Sequence, residues 1–185
     1  MLDTTPYLWI MDERYASVTV AVAEGATQDG LITAYRGAPD SSGTMTFSDA
    51  AATWEDGDPF YVQTFAAGSC VVAVENNGVA GNDLGIAKAA VGDTGQFVSF
   101  RWSVTGGHHL LSLVGGQVDG DCDVLAYVHG GEPNGPVPEW VSRVDWTKDP
   151  ARAAYLALIS DVMRVQVTPE WFTGPHTTTP IPWTA

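Results

Sequence analysis

Lysine and arginine are scarce in this sequence. The 185 residues contain 8 Lys and Arg against 22 Asp and Glu, which gives a formal net charge of -14. Direct nucleic-acid binding depends on cationic side chains that displace counterions from the phosphates. The composition therefore argues against direct nucleic-acid binding. The sign of the charge favours a basic protein partner or a strongly solvated surface.

Long apolar runs and cysteines are also few. No stretch approaches the roughly 18 apolar residues of a membrane-spanning helix, so we predict no membrane association. The N-terminal segment carries Asp3, Asp12 and Glu13 and lacks the basic start of a signal peptide. Cys70 and Cys122 lie in strand-like runs, which favours buried free thiols over a disulfide. Together these absences predict a cytoplasmic protein.

Alternating apolar residues are frequent and predict strands. Residues 60–75 contain two such runs separated by a short segment around Gly68, the pattern of a β-hairpin. Three further runs within residues 97–125 are separated by the glycine pairs 106–107 and 115–116. Short glycine turns between neighbouring strands predict an antiparallel meander.

Helical spacing of apolar residues follows three N-cap candidates, Thr27, Asn82 and Asp149. We predict an α+β fold in which helices pack on one face of a mainly antiparallel sheet. The predicted domain covers residues 1–172. Residues 173–185 are rich in Pro and Thr and are predicted to form an extended C-terminal tail.

The segment VDGDCD carries three carboxylates at alternate positions, Asp119, Asp121 and Asp123. On a regular strand these side chains share one face at a spacing of roughly 6.5–7 Å. Such a row repels itself unless water, cations or a basic partner compensate it. We therefore interpret it as an acidic stripe, either solvated or partner-binding. A calcium loop begins similarly, but it needs glycine where Val124 stands and glutamate where Gly130 stands.

Metal, cofactor and catalytic motifs are not evident. His108 and His109 are adjacent, and adjacent residues of a strand project to opposite faces, which disfavours a shared metal ion. We predict no metal and no cofactor. The enzymatic alternative is a site assembled from distant residues, in which His108 or His109 acts with Asp119 or Asp121.

Tryptophan is abundant, with seven residues, and three of them are Trp140, Trp146 and Trp171. Two interpretations are open for these three side chains. They anchor the C-terminal helices to the sheet, or they form an exposed aromatic face that binds a partner, as Trp often does at interfaces.

The segment VVAVENNGVAGND changes abruptly from an apolar run to Glu75, Asn76, Asn77 and Gly78. Asn and Gly tolerate positive φ angles, so this corner is predicted to end a strand and turn the chain towards a helix. We expect Glu75 to accept hydrogen bonds from the backbone of the turn. A structural corner is favoured over a catalytic site.

These stretches resemble an uncharacterised family of bacterial proteins, common in actinobacteria and known only as a domain of unknown function. The shared pattern is the Glu75–Gly78 strand end, a helix, and strands with a central Trp102. The sequence departs from it at Gly115–Gln117, where the family has a charged turn. The resemblance covers residues 18–172, implies a bacterial or bacteriophage origin, and brings no catalytic residues.

The sequence thus predicts a non-enzymatic acidic protein that binds a protein partner as an inhibitor, immunity or regulatory module. One alternative is the small enzyme described above. Another is a DNA mimic, in which carboxylates take the positions of phosphates.

Overall fold

A computed structural model describes residues 1–52, 60–105 and 107–182 of the chain. Within these residues eight strands form one sheet. They are β1 (Val18–Glu24), β2 (Gly43–Met45), β3 (Phe60–Ala67), β4 (Cys70–Asn76), β5 (Gln96–Trp102), β6 (His108–Val114), β7 (Gln117–Asp123) and β8 (His176–Ile181). None of the helices in the described residues has the length and apolar character needed to cross a membrane.

The helices are mostly short. The α-helices are α1 (Gln28–Ala34), α2 (Phe47–Ala52), α3 (Leu84–Val91), α4 (Val124–Val128), α5 (Ala151–Met163) and α6 (Glu170–Thr173). Five 3-10 segments accompany them in the described residues, at Thr5–Met11, Glu13–Tyr15, Pro39–Ser41, Ala80–Asn82 and Glu139–Arg143.

The strands lie in the order β2-β8-β3-β4-β1-β5-β6-β7, and each neighbouring pair is antiparallel. The predicted hairpin is β3–β4, with Gly68 at φ +62° in its turn. The predicted meander is β5–β6–β7, and both Gly115 and Gly116 have positive φ, as a tight hairpin turn requires. In the turn predicted at residues 106–107, Gly107 has φ +93°. Gly106 lies outside the described residues.

The predicted α+β class and antiparallel sheet are confirmed, and helices cover both faces of the sheet instead of one. On the first face Val20 and Val22 of β1 pack in a core that includes Leu156 and Leu158 of α5. We call this the α5 face. Because α5 is nearly surrounded by the sheet and the N-terminal 3-10 segments, residues 153–159 are all buried.

On the opposite face a second core contains Ala21 of β1, Phe97 of β5, Leu31 of α1 and Ile86 of α3. We call this the α1/α3 face. The β1 residues on this face are small. In the sequence, β1 therefore alternates as a strand does when one face is buried and the other is exposed to solvent. Small side chains instead let helices pack closely, and β1 is buried on both faces from Val18 to Ala23.

The segment predicted as a C-terminal tail supplies strand β8, which lies between β2 and β3. Thr178 and Thr179 are buried in it. Strand β2 pairs only with residues 176–178 of β8, so Pro180 lies beyond the β2 pairing, where a missing N–H is tolerated. Residues 183–185 lie outside the described residues.

Candidate functional site

Strand β7 forms one edge of the sheet, and a β-bulge interrupts its pairing with β6. Ser112 pairs with Gly120 and Leu113 pairs with Val118, so Asp119 is an extra residue without a partner in register. An extra residue shifts the alternation of side chains along a strand. The carboxylates before and after the bulge therefore project differently from those of a regular strand.

The predicted acidic stripe is broken at Asp119. Its carboxylate accepts hydrogen bonds from Ser112 Oγ at 3.3 Å and Trp140 Nε1 at 3.1 Å, and Trp140 packs against the core of the α5 face. Asp121 Oδ1 instead lies 2.8 Å from His109 Nε2, and His109 is on the same side of β6 as Leu111, which belongs to the core of the α1/α3 face. The three carboxylates do not form one row.

The outer edge of β7 is covered by the loop that precedes the 3-10 segment Glu139–Arg143. The backbone N–H of Asp121 donates to the carbonyl of Pro136, and that of Asp123 donates to Asn134 Oδ1, both at 2.9 Å. Gly120 permits this approach, since a Cβ there would lie 2.6 Å from Pro138 Cγ. A glycine inside a strand often marks a close approach or a bulge. Gly120 is therefore a sequence signal from which this irregularity of β7 could have been predicted.

Asp123 has a local structural role. Its carboxylate accepts a hydrogen bond from the backbone N–H of Ala126 at 2.9 Å and so caps the N-terminus of α4. This cap turns the chain out of β7 and into α4. Asp123 therefore stabilises the local fold and is not simply a solvated surface carboxylate.

The two histidines project to opposite faces, as predicted. His108 Nδ1 lies 2.8 Å from the hydroxyl of Tyr155, and burial lowers the pKa of His108. The His109 and Asp121 side chains are 28% and 43% exposed, respectively. The structure thus brings together His109 and Asp121 but leaves His108 and Asp119 apart from them. Within the described ranges, no group of three or more His, Cys, Asp or Glu is arranged to hold a metal ion.

The region around β7 concentrates negative charge. Residues 102–142 contain five acidic residues and neither Lys nor Arg. We call these five the acidic edge: they are Asp119, Asp121, Asp123, Glu132 and Glu139. Asp119, Glu132 and Glu139 are exposed, while Asp121 and Asp123 are half-buried.

A groove of about 500 Å³ adjoins the acidic edge. Tyr127 of α4, Val137 of the covering loop and Trp146 supply apolar walls, and Glu139 belongs to the acidic edge itself. Met1 also lines the groove and is 86% exposed. Sequence reasoning missed this groove, because its walls come from segments that are distant along the chain.

The three tryptophans do not form an exposed aromatic face. Trp171 is buried and packs edge-on against Phe65. Trp146 packs on Tyr155 of α5 and donates its indole N–H to the carbonyl of Val141. Trp140 packs against the same core and bonds Asp119, as described above. Their contacts correspond to the anchoring interpretation.

Glu75 is the most buried carboxylate of the described residues, at 1% exposure. Its two oxygens accept hydrogen bonds from the backbone N–H groups of Ala80 at 3.0 Å and Gly81 at 2.7 Å, which confirms the predicted contact with the turn. Burial raises the pKa of Glu75 to about 7, although these two donors act in the opposite direction. Asn77 has φ +54°, as expected for the corner.

The Glu75 corner is closely packed. A Cβ on Gly78 would overlap the Glu75 carboxylate, and one on Gly81 would lie 2.7 Å from the Tyr35 hydroxyl. That hydroxyl is buried without a hydrogen-bond partner in the described part of the chain. The following helix is capped by Asp83, one residue later than predicted, through a 2.9 Å bond from Ile86 N. These features make the corner a structural clamp.

Comparisons with known proteins found no match: no family model, no curated protein and no solved structure matches this chain.

Proposed function

We propose that this protein is a non-enzymatic acidic module that binds a basic protein partner, as an inhibitor, immunity or regulatory protein. The supporting observation is the acidic edge, where five carboxylates occur across residues 102–142 without a single Lys or Arg. Three of the five are exposed. Charge of one sign on one region of a surface steers an oppositely charged partner and raises the association rate.

The groove beside the acidic edge supplies an apolar contact for the same partner. Binding interfaces combine a buried apolar anchor with a polar rim. Tyr127 and Val137 offer the apolar surface, and Glu139 contributes charge at its border. The partner that fits is a segment with one large apolar side chain flanked by Lys or Arg.

We place this activity in the cytoplasm of a bacterial or bacteriophage-infected cell. Cys70 and Cys122 are both free and buried, which suits a reducing compartment. The bacterial origin rests only on the resemblance of the Glu75 corner and the meander.

The test is affinity capture with the immobilised protein, followed by elution with rising salt. The decisive variant is Glu132→Gln with Glu139→Gln, which removes two exposed charges from the acidic edge. We expect the association rate with the captured partner to fall several-fold and its salt dependence to weaken.

The matched control is Glu24→Gln with Asp40→Asn, which removes two exposed charges that do not belong to the acidic edge. Equal losses in both variants would mean that only net charge matters and would contradict the assignment to the acidic edge. A partner without a basic surface would also contradict it. A partner whose basic surface binds DNA would identify the carboxylates as phosphate mimics.

The contact between His109 and Asp121 supports a second candidate function, a small enzyme. A carboxylate that orients an imidazole is a recurring arrangement in acid–base catalysis. Asp121→Asn would abolish any activity found in a hydrolase screen, because it removes the carboxylate that orients His109. Activity that survives both Asp121→Asn and His109→Ala would exclude this pair as its site.

A further inference from the structure

The groove beside the acidic edge combines accessible apolar walls with charge of one sign. Val128 and Val137 are half-buried where they line it, and Tyr127 is 40% exposed. The charged side chains of its described walls are Glu139 and Asp145, and no Lys or Arg lies among those walls. A ligand that fills the groove therefore meets apolar surface and negative charge together.

The two carboxylates of the groove are not equally available. Asp145 accepts hydrogen bonds from Thr147 and lies 2.8 Å from Lys148 Nζ, so its charge is already compensated. Glu139 is exposed, and its carboxylate has neither a hydrogen bond nor an ion pair in the described part of the chain. The amino group of Met1, at the border of the groove, forms no ion pair with these described residues either. Glu139 is thus the carboxylate that a ligand cation can engage.

The two aromatic side chains of the groove also differ in their availability. Trp146 packs on Tyr155 and donates its indole N–H to the carbonyl of Val141, so it serves as a fixed apolar wall. The Tyr127 side chain contacts no other ring and makes no hydrogen bond among the residues that the structure describes. A cation over the face of a Tyr ring is attracted by the π electrons. Tyr127 therefore remains free for such a contact.

An arginine side chain can use both free groups at once. Its guanidinium is planar, more weakly hydrated than an ammonium, and able to stack on an aromatic ring. In the same position it can donate two parallel hydrogen bonds to one carboxylate. A lysine ammonium is compact and strongly hydrated, so it gains less from an exposed ring and cannot form the paired hydrogen bonds.

We propose that the groove selects an arginine, in preference to a lysine, next to the large apolar side chain of the partner segment. The apolar side chain packs against Val128 and Val137, the guanidinium stacks on Tyr127, and Glu139 accepts its hydrogen bonds. This preference rests on the proposed function and specifies which residue of the basic partner enters the groove.

The test is a titration of the isotope-labelled full chain, followed by NMR, with four dipeptides that are acetylated and amidated: Leu-Arg, Leu-Lys, Leu-citrulline and Gly-Arg. Citrulline keeps the shape of arginine without its charge. We expect Leu-Arg to bind in the millimolar range or tighter, as suits a ligand of its size. Leu-Lys should bind about threefold more weakly. Leu-citrulline and Gly-Arg, which lack the charge and the apolar side chain, should each bind about tenfold more weakly.

Two pairs of variants locate these contacts. Tyr127→Leu removes the ring without changing the charge, so it should weaken Leu-Arg binding about threefold and abolish the preference over Leu-Lys. Tyr127→Phe keeps the ring and is its control. Glu139→Gln should weaken Leu-Arg binding about tenfold. Glu132→Gln, which removes an exposed charge outside the groove, is its matched control and should change binding less than about twofold.

The arginine preference is overturned if Leu-Lys binds as tightly as Leu-Arg, or if none of the dipeptides binds. It is also overturned if Tyr127→Leu and Tyr127→Phe bind Leu-Arg equally well. The proposed function fails through a different result, a captured partner that lacks a basic surface. Salt-sensitive capture that depends on Glu132 and Glu139, together with equal binding of Leu-Lys and Leu-Arg, would retain the acidic edge and discard the arginine.

Discussion

Carboxylates serve different purposes in two regions of this sheet. At the C-terminal end of β4, Glu75 is 1% exposed and both its oxygens accept hydrogen bonds from backbone N–H groups. At the β7 edge, Glu132 and Glu139 are exposed and project from a region without Lys or Arg. The same functional group is a structural clamp where it is enclosed, and in the proposed function it attracts a partner where it is solvated.

The two regions should differ most in the loss of unfolding free energy that follows when a carboxylate side chain is removed from each. Glu75→Ala leaves two buried backbone N–H groups without acceptors, so we expect the free energy of unfolding to fall by about 4 kcal/mol. Glu132→Ala should change it by less than about 0.5 kcal/mol. Urea unfolding monitored by tryptophan fluorescence measures both. Similar losses in the two variants would remove the distinction between the regions.

The pH dependence of stability sharpens the same comparison. Burial raises the pKa of Glu75 from 4.5 to about 7, so the folded state binds a proton more tightly than the unfolded state. The stability contributed by this proton is fully present below pH 4.5 and is lost as the pH rises through 7. The difference between the two pKa values corresponds to about 3 kcal/mol.

The measurement is the unfolding free energy of the protein and of Glu75→Gln between pH 4.5 and 8. His108 acts in the opposite sense, because its lowered pKa makes stability rise with pH in an overlapping range. Subtracting the curve of the variant cancels the His108 contribution and isolates Glu75. A difference curve that is flat across this range would contradict the raised pKa.

Asp123 caps α4, so its replacement should cost more than that of the exposed Glu132 and Glu139. Asp123→Ala removes the cap of α4 and should lower the unfolding free energy by about 1 kcal/mol. Asp123→Ser keeps a capping oxygen and is the control. If alanine and serine cost the same, the capping bond contributes nothing.

A smaller effect than that of Asp123→Ala is expected at the pair of His109 and Asp121. The two side chains are 28% and 43% exposed, and exposed ion pairs contribute little. Asp121→Asn should therefore lower the unfolding free energy by less than about 1 kcal/mol, as measured by urea unfolding. A loss as large as that of Glu75→Ala would show that the edge also holds the fold together.

Features that depend on neighbours in sequence could be predicted. The hairpin, the meander and the clamp of Glu75 each follow from residues a few positions apart. The packing of helices on both faces of the sheet could not be predicted in this way. The alanine residues of β1 are compatible either with a face exposed to solvent or with a face covered by a helix. The insertion of β8 beside β3 also depends on contacts between distant segments.

The same distinction applies to the candidate site. Gly120 indicates the irregularity of β7 in the sequence. The face of the sheet to which the Asp119 side chain projects, however, depends on its hydrogen bonds with Ser112 and Trp140. The groove is formed by residues from several separate segments, so no local sequence pattern predicts it. The pairing of His109 with Asp121 was among the predicted combinations. In the register of β6 with β7, His109 lies opposite Asp123, and its side chain contacts the diagonal neighbour Asp121.

The loop over β7 restricts how a complex can form. Pro136 and Asn134 already occupy the outward N–H groups of Asp121 and Asp123, so an incoming chain cannot extend the sheet there by strand addition. The proposed partner would therefore have to be recognised here through side chains. The same hydrogen bonds block edge-to-edge pairing of β7 with a second copy of the chain at these two residues.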